Sequence, residues 1–305
     1  MWLILIQRWN WRKVVLKRGA CLERYKISWT KMATKTLVNG IETSLLSCND
    51  RGLHYGDGLF ETILVQEGSP MLWDEHISRM AQGCKQLGMY PPPWKTLEHE
   101  ANQLCLGSSK AVLKILLTRG VSGRGYRFHS QHEAPKLTRI LQLYGYPDYP
   151  IINWSQGINL VLCKTKVGCH PQLAGIKHLN RLENILARNE WNDESIAEGV
   201  MTDHAGNWIE GTMSNVFIVS DGKLYTPDLS HCGIKGIMRQ HIIQLAEEID
   251  IPCQIQTVST QFALNADEIF VTNSLIGLWP VKNFEGKFYT NWPISTQLRQ
   301  SLLSS

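Results

Sequence analysis

A short segment rich in proline and tyrosine, directly after Gly145, divides this chain of 305 residues into two halves. The segment covers residues 146–155, and strand and helix patterns occur on both sides of it. A break of that composition is typical of a linker between domains, and the length is sufficient for two. We therefore predict an N-terminal α/β domain at 32–145, a linker at 146–155 and a C-terminal domain at 156–305.

Apolar periodicity predicts a mixed α and β fold, of the α+β or mixed α/β class, in two lobes. Asp74 is expected to cap a helix whose apolar face includes Ile77, Met80 and Cys84. Asp221-Gly222 is a hairpin turn signal. The remaining expected elements are a second helix around 94–106, a helix at 236–248, and strands within 37–66 and at 111–118, 139–144, 158–163, 200–203, 215–220 and 268–272.

The first 31 residues differ in kind from the rest. They hold eight Lys/Arg against one Glu, a net charge of +7, whereas residues 32–305 carry a net charge of −3. A membrane-surface segment and a transit peptide both fit this composition. We expect instead that Met32 is the true start and that 1–31 are a disordered upstream extension. The mildly acidic body and the absence of a long apolar run predict neither nucleic-acid nor membrane partners.

Eight cysteines are scattered along the chain without a Cys-x-x-Cys pair. Cys169-His170 alone is too little for zinc, so no metal site is expected. Most of the cysteines lie among apolar residues, which predicts reduced core thiols and a cytoplasmic protein.

Lys177 lies in the sequence GIKHLNR at 175–181. Leu179, Leu182, Ile185 and Leu186 follow at helical spacing, so the lysine is expected at the start of an amphipathic helix that faces a cavity. A desolvated lysine there loses its proton readily and can form an imine with a carbonyl group. The alternative is a surface lysine.

A pyridine aldehyde cofactor that carries a phosphate needs an imine lysine, a carboxylate at its ring nitrogen and an anion site. Glu210, which lies 33 residues after Lys177 in WIEGTMSNVF, is the candidate carboxylate. The alternative is a solvated loop glutamate.

The sequence GIKGIMR at 233–239 is the candidate phosphate site, because glycines before a helix leave backbone N–H groups free. Arg79 can supply a guanidinium to the same anion, and Asn273 and Ser274 end a strand where small polar side chains often line such a site. An exposed helix arginine and ordinary turn residues are the alternatives.

Arg124 and Tyr126 lie in the glycine-rich loop SGRGY at 122–126. A guanidinium on such a loop suits recognition of a substrate carboxylate. A mobile surface loop is an equally good interpretation.

These motifs and their spacing resemble the class IV pyridoxal-phosphate enzymes, which include branched-chain and D-amino-acid aminotransferases and aminodeoxychorismate lyases. The resemblance covers roughly residues 36–300. Within the family the chain is most similar to the lyases, on the strength of LAGIKHLNRLE at 173–183 and RGxSGRGY at 119–126. The aminotransferases have a tyrosine shortly after the lysine, where this chain reads Asn180-Arg181-Leu182.

The resemblance implies a fold-type IV architecture like that of D-amino-acid aminotransferase, with pyridoxal 5'-phosphate in the cleft between two lobes of a homodimer. It implies that Lys177 is the imine lysine and acid–base group, and that Glu210 binds the pyridine nitrogen. The implied phosphate ligands are Arg79, the backbone amides of Ile237 and Met238, and Asn273 or Ser274. The implied substrate-binding residues are Arg124, in its own or the neighbouring subunit, with Tyr126 and Tyr55.

The activity implied is conversion of 4-amino-4-deoxychorismate to 4-aminobenzoate, the folate precursor, and pyruvate. The nearest alternative is a D-amino-acid or branched-chain aminotransferase. More remote alternatives are a binding protein that uses the basic N-terminus and a cofactor-bound protein that has lost turnover.

Overall fold

The computed structural model describes residues 33–128 and 137–304. Ala33–Ser305 form one compact unit. The expectations for residues 1–31 lie outside the described residues.

The described chain combines helices and strands, which confirms the mixed α and β class. The strands are β1 Lys35–Val38, β2 Ile41–Glu42, β3 Gly58–Gln66, β4 Ser69–Pro70, β5 Lys110–Thr118, β6 Thr138–Gly145, β7 Ile158–Lys166, β8 Ile196–Thr202, β9 Asn207–Gly211, β10 Asn215–Ser220, β11 Lys223–Pro227, β12 Cys253–Gln256, β13 Val258–Ser259, β14 Glu268–Asn273, β15 Gly277–Phe284 and β16 Lys287–Phe288. The helices are α1 Arg51–Tyr55, α2 Trp73–Gln86, α3 Trp94–Cys105, α4 Ile152–Ser155, α5 Leu182–Arg188, α6 Ile237–Glu248, α7 Thr260–Leu264 and α8 Pro293–Ser304.

The first sheet has six strands in the order β2-β1-β6-β5-β3-β4. Its central strands alternate inward and outward side chains, and Leu59, Ile63 and Val65 of β3 are fully buried. These side chains share a core with the apolar face of α2, including Met80 and Cys84 as the periodicity predicts.

The expected cap of α2 is wrong. The helix begins at Trp73 with Leu72 at the N-cap position, and the Leu72 side chain makes no capping hydrogen bond. Asp74 lies in the first turn instead, where a negative charge still interacts favourably with the helix dipole. A capping residue must precede the first helical turn, and α2 starts two residues earlier than a cap at Asp74 requires.

The second sheet has ten strands, nine of them in the order β12-β11-β10-β14-β15-β7-β8-β9-β13, with β16 paired to β15. The predicted hairpin between β10 and β11 is present, with Ser220 opposite Lys223. Asp221 and Gly222 both have positive φ, as a two-residue hairpin turn requires. Helices α6 and α8 pack on one side of this sheet around Phe217 and Phe270.

The segment at 146–155 connects the two sheets and is partly structured. It contains α4, and its Tyr149 and Trp154 rings pack edge-to-face against Trp279 of β15, with centroids 5.1 and 5.5 Å apart. The division into two domains joined by this segment stays a prediction.

Candidate active site

One cavity of about 320 Å³ brings together residues from both sheets. All seven residues expected to hold a cofactor line it: Arg79, Lys177, Glu210, Ile237, Met238, Asn273 and Ser274. They come from distant parts of the chain, so these seven residues lie close together only in the folded protein.

Lys177 is held by an extended segment that pairs with β3. The Phe60 N–H donates to the Lys177 carbonyl at 2.9 Å, and the Leu179 N–H donates to the Gly58 carbonyl at 3.0 Å. The lysine is therefore fixed against the edge of the first sheet, although its own chain neighbours belong to the second half.

The expected amphipathic helix at Lys177 is wrong in two respects. Helix α5 begins only at Leu182, after the lysine segment has ended. Its apolar residues do not face the cavity, since Leu182, Ile185 and Leu186 are 75%, 55% and 63% exposed. The buried side of this seven-residue helix is occupied by Ala187, and the backbone pairing with β3 positions the lysine instead.

The environment of Lys177 favours its neutral form. Burial lowers the pKa of this amine to about 8, and the positive charge of Arg79 acts in the same direction, while Glu61 and Glu210 oppose it. The Nζ atom lies 4.4 Å from the centroid of the Phe60 ring. A larger fraction of the amine is thus neutral near physiological pH than for a solvated lysine.

Glu210 lies at the end of β9 and is 3% exposed, so the interpretation as a solvated loop residue is wrong. Its Oε2 accepts a hydrogen bond of 2.7 Å from the Ile234 N–H. Burial raises the pKa of the carboxyl group, whereas the Ile234 N–H and the charges of Arg181 and Lys177 lower it. The site therefore holds a buried carboxylate close to a lysine.

The N-terminus of α6 lies at one end of the cavity. Gly236 is its N-cap residue and no side chain caps the helix, while Ile237 and Met238 of the first turn line the cavity. An uncapped helix N-terminus presents free N–H groups and a positive dipole end to the cavity. A Cβ atom at Gly236 would overlap Oδ1 of Asn215, so only glycine fits without rearrangement.

Arg79 reaches this end of the cavity from α2. Its Nη1 donates to the Lys235 carbonyl at 3.0 Å, directly before Gly236. Glu61 binds the other side of the guanidinium, with Oε1 2.8 Å from Nε and Oε2 accepting from Nη2. Oε2 of Glu61 is also 2.7 Å from Nδ1 of buried His76.

The sequence interpretation missed Glu61 and His76. Glu61 occupies an inward position of the alternation in β3, between the buried apolar residues Leu59 and Ile63. A carboxylate at such a position requires a charged partner. A glutamate at an inward position of an apolar strand was therefore the sequence signal that could have identified Glu61.

The side chain of Asn273 is used in hydrogen bonds to nearby backbone groups. Its Oδ1 accepts from the N–H groups of Leu275 and Ile276 at 2.9 and 3.0 Å, and its Nδ2 donates to the Met213 carbonyl. Of the predicted pair, Ser274 is therefore the better candidate for contact with a bound anion.

Arg181 is a second arginine of the cavity, and the sequence interpretation did not assign it a role. It lines this cavity and a neighbouring one, and Glu210 lines both as well. Its guanidinium contacts the His178 ring, and its Nε donates to the His178 carbonyl at 3.1 Å. Burial and the adjacent guanidinium lower the pKa of His178 to about 4, so the imidazole is neutral and adds no positive charge beside Arg181, whose own charge is stabilised by Glu210 and Glu183.

The three predicted substrate-binding residues lie elsewhere in the same chain. Tyr55, Arg124 and Tyr126 are not among the residues that line the cavity. The Gly125 N–H donates to the Tyr55 hydroxyl at 3.2 Å, and the rings of Tyr55 and Tyr126 are 5.5 Å apart. Tyr55 and Tyr126 thus contact each other outside the cavity, and Arg124 and Tyr126 are exposed.

Within residues 33–128 and 137–304, no cluster of three His, Cys, Asp or Glu side chains is placed to hold a metal ion. No helix in the same ranges is long and apolar enough to cross a membrane.

The cavity thus combines a desolvated lysine, a buried carboxylate and a helix N-terminus within a two-sheet α/β fold. Residues 58–284 match the family model for amino-transferase class IV. The chain therefore belongs to the class IV aminotransferase family and is an enzyme of that family.

Similar proteins within the family include both a lyase and an aminotransferase. The chain is 34% identical to an aminodeoxychorismate lyase of Vibrio harveyi over 244 residues, which are 80% of this chain and 89% of the relative. It is 29% identical to a D-alanine aminotransferase of Staphylococcus aureus over 268 residues, 84% of this chain and 90% of the relative. The crystal structure of 4-amino-4-deoxychorismate lyase from Pseudomonas aeruginosa superposes with a TM-score of 0.84 at 39% identity, covering 88% of this chain and 98% of that one.

Proposed function

We propose that this enzyme is a pyridoxal-phosphate-dependent lyase that converts 4-amino-4-deoxychorismate to 4-aminobenzoate and pyruvate for folate biosynthesis. The observation that carries the proposal is the single cavity in which Lys177, Glu210 and the N-terminus of α6 meet. The similarity to two lyases, at 34% and 39% identity, supports this reaction over others of the family.

The donor set of the cavity fits the cofactor. Lys177 would bind its aldehyde carbon, Glu210 its ring nitrogen, and Arg79 with the N–H groups of Ile237 and Met238 its phosphate. The cavity volume of about 320 Å³ is within the range of small-molecule sites. When bound, pyridoxal phosphate supplies an electron sink for charge that develops at the carbon bearing the substrate amino group.

Lys177 is the proposed acid and base of the reaction. With its pKa lowered to about 8, the neutral amine can take the proton from the ring carbon that bears the substrate nitrogen. The resulting ammonium group can then protonate the departing enolpyruvyl group, which leaves as pyruvate. Loss of this group makes the substrate ring aromatic, and that drives the elimination.

Glu210 is proposed to keep a proton on the ring nitrogen. This requires the carboxylate form, which the Ile234 N–H and the positive charges of Arg181 and Lys177 favour against the cost of burial. The short hydrogen bond from Ile234 also fixes the orientation of the carboxylate.

The second candidate is an aminotransferase of the same fold, because a D-alanine aminotransferase is also among the relatives. Both reactions need the same lysine and carboxylate. The residues after Lys177 distinguish them, since Asn180, Arg181 and Leu182 stand where the aminotransferases have a tyrosine.

We also propose a cytoplasmic homodimer. The predicted substrate residues Arg124 and Tyr126 are exposed and outside the cavity of their own chain, so we infer that they contact the substrate bound in a second copy. The exposed Leu182, Ile185 and Leu186 provide an apolar face that association can bury. A solution mass of one chain at micromolar concentration would contradict the dimer.

The reaction is tested by incubating purified protein and pyridoxal phosphate with 4-amino-4-deoxychorismate and measuring 4-aminobenzoate. We expect product from the wild type, none from Lys177→Ala, and slower formation by Glu210→Gln. Lys114→Ala is the matched control, because Lys114 also lies over the Phe60 ring, at 5.7 Å, and does not line the cavity.

A parallel assay with a D-amino acid or branched-chain amino acid and a keto acid tests the second candidate. Transamination without 4-aminobenzoate release would overturn the lyase proposal and retain Lys177 as the reactive amine. Full lyase activity in Lys177→Ala would overturn the assignment of the lysine.

A further inference from the structure

Two thiols that the proposed reaction does not use lie in contact beside the cavity. The Sγ atoms of Cys169 and Cys232 are 3.6 Å apart, although the residues are 63 positions apart in the chain. Both residues line the neighbouring cavity that shares Arg181 and Glu210 with the candidate active site.

The two thiols differ in exposure. Cys169 is exposed, whereas Cys232 is 4% exposed and packs in a core cluster with Cys163, Val167 and Leu229. Burial raises the pKa of the Cys232 thiol to about 12. A solute therefore reaches Cys169 first, and Cys232 is the less reactive partner behind it.

The backbone around both thiols is already held in place. The His170 N–H donates to the His231 carbonyl at 2.9 Å, and the Gly168 N–H donates to Oε2 of Glu183 at 2.8 Å. A disulfide has an S–S distance of about 2.05 Å, so its formation needs an approach of roughly 1.5 Å between two anchored segments.

We propose that Cys169 and Cys232 form an oxidisable dithiol that a small peroxide converts to a disulfide, and that this disulfide slows the reaction in the adjacent cavity. The Cys169 thiolate attacks one peroxide oxygen, the O–O bond breaks, and with hydrogen peroxide a water molecule leaves once the hydroxide is protonated. The Cys232 sulfur then displaces the hydroxyl group from the Cys169 sulfenic acid, forming the S–S bond and a second water. Two thiols and one hydrogen peroxide thus give one disulfide and two waters.

The segments that carry the thiols also carry the active-site groups. Cys232 is two residues before Ile234, whose N–H binds Glu210 at 2.7 Å. The Gly175 N–H donates to the Gly233 carbonyl at 2.8 Å, and Gly175 is two residues before Lys177. Drawing the thiols together therefore displaces the backbone supports of Lys177 and Glu210 relative to each other.

This effect on turnover rests on the proposed function, while formation of the disulfide does not. A displacement of about 1 Å in a catalytic site can cost up to roughly 100-fold in rate. We expect the oxidised enzyme to turn over about tenfold more slowly, and reduction with dithiothreitol to restore the rate.

The disulfide is tested by treating the full-length, cofactor-loaded protein with hydrogen peroxide, blocking free thiols and mapping the peptides by mass spectrometry. We expect a linked peptide pair containing Cys169 and Cys232 that dithiothreitol separates. Cys48→Ser is the matched control, because Cys48 is the other exposed cysteine of the described residues, and this variant should still form the link. Recovery of both thiols in alkylated form, or of Cys169 as a sulfinic acid without the link, would overturn the proposal.

The effect on the cavity is tested by measuring 4-aminobenzoate formation before oxidation, after oxidation and after reduction. Cys169→Ser should keep its rate after peroxide treatment. An oxidised, fully linked enzyme with an unchanged rate would overturn the coupling to the active site. An inactive reduced enzyme that still forms the link would contradict the proposed function and leave the dithiol assignment intact.

Discussion

Glu61 holds Arg79 with both of its carboxylate oxygens, and the far side of the same guanidinium donates to the Lys235 carbonyl beside the N-terminus of α6. Glu61 is fully buried in β3, so it fixes the arginine from within the first sheet. A planar guanidinium bound on two sides has little freedom to reorient, and this presents Arg79 to the cavity in one geometry.

Replacing Glu61 with Gln should weaken the binding of pyridoxal phosphate. The amide has a single acceptor oxygen and cannot accept from both Nε and Nη2 of Arg79. Loss of a charge-assisted hydrogen bond of about 1.5 kcal/mol corresponds to roughly a tenfold higher Kd. The Kd is measured by absorbance titration of the apoenzyme. Glu98→Gln, at an exposed position of α3, is the control. Equal affinity of Glu61→Gln and wild type would show that Glu61 does not position Arg79.

Glu61 should also make stability depend on pH in the acid range. Burial opposes ionisation of Glu61, but Arg79 and His76 lower its pKa from 4.5 to about 2 in the folded protein. A carboxyl group whose pKa is lower in the folded than in the unfolded state stabilises the fold at pH values above the unfolded-state pKa. This contribution is lost as the pH falls through the folded-state pKa. We therefore expect the wild type to lose about 3 kcal/mol of unfolding free energy between pH 4.5 and 2 from this group. Denaturant unfolding at pH 6 and pH 3 should show a smaller difference for Glu61→Gln than for the wild type.

The capture of cofactor by Lys177 should depend on pH with a midpoint near 8. Desolvation lowers the pKa of the amine to about 8, and only the neutral amine attacks the aldehyde. The rate of cofactor capture by apoenzyme, followed by absorbance, should therefore rise between pH 7 and 9 and then level off. A rate that continues to rise towards pH 10.5 would mean that Lys177 behaves as a solvated amine.

Removing the charge of Arg181 should move the acid limb of the rate profile to higher pH. Burial already raises the pKa of Glu210, and the positive charge of Arg181 opposes that rise. Arg181→Leu should therefore leave Glu210 protonated over a wider pH range and shift the lower midpoint of kcat upwards. Arg188→Leu, at the end of α5, removes an arginine that stacks on Trp191 and should keep the wild-type profile. An identical acid limb in Arg181→Leu and the wild type would contradict the electrostatic role.

Periodic patterns predicted the elements better than they predicted the site. The alternation around Leu59 and Ile63 and the Asp221-Gly222 turn depend on neighbours in sequence, and the structure confirms them. The surroundings of Lys177 could not be read in this way, because its segment pairs with β3, more than a hundred residues earlier in the chain. The apolar spacing in α5 indicated a buried face, but spacing alone does not determine which surface a helix presents.

Replacing Gly236 with Ala should weaken the binding of the cofactor through its phosphate. Gly236 has φ −65° and ψ 143°, so alanine can adopt this backbone conformation. Its Cβ atom would, however, overlap Oδ1 of Asn215, whose Nδ2 donates to the Ile234 carbonyl at 2.9 Å. We expect Asn215 to shift and the start of α6 to lose its alignment, which at about 1 kcal/mol corresponds to roughly a fivefold higher Kd for pyridoxal phosphate.

Pyridoxal, which lacks the phosphate, should bind Gly236→Ala and wild type equally. Gly145→Ala is the control variant, because a Cβ there meets nothing within 4 Å, and it should leave both affinities unchanged. Equal weakening for both ligands would instead place the effect of Gly236 at the lysine or at Glu210.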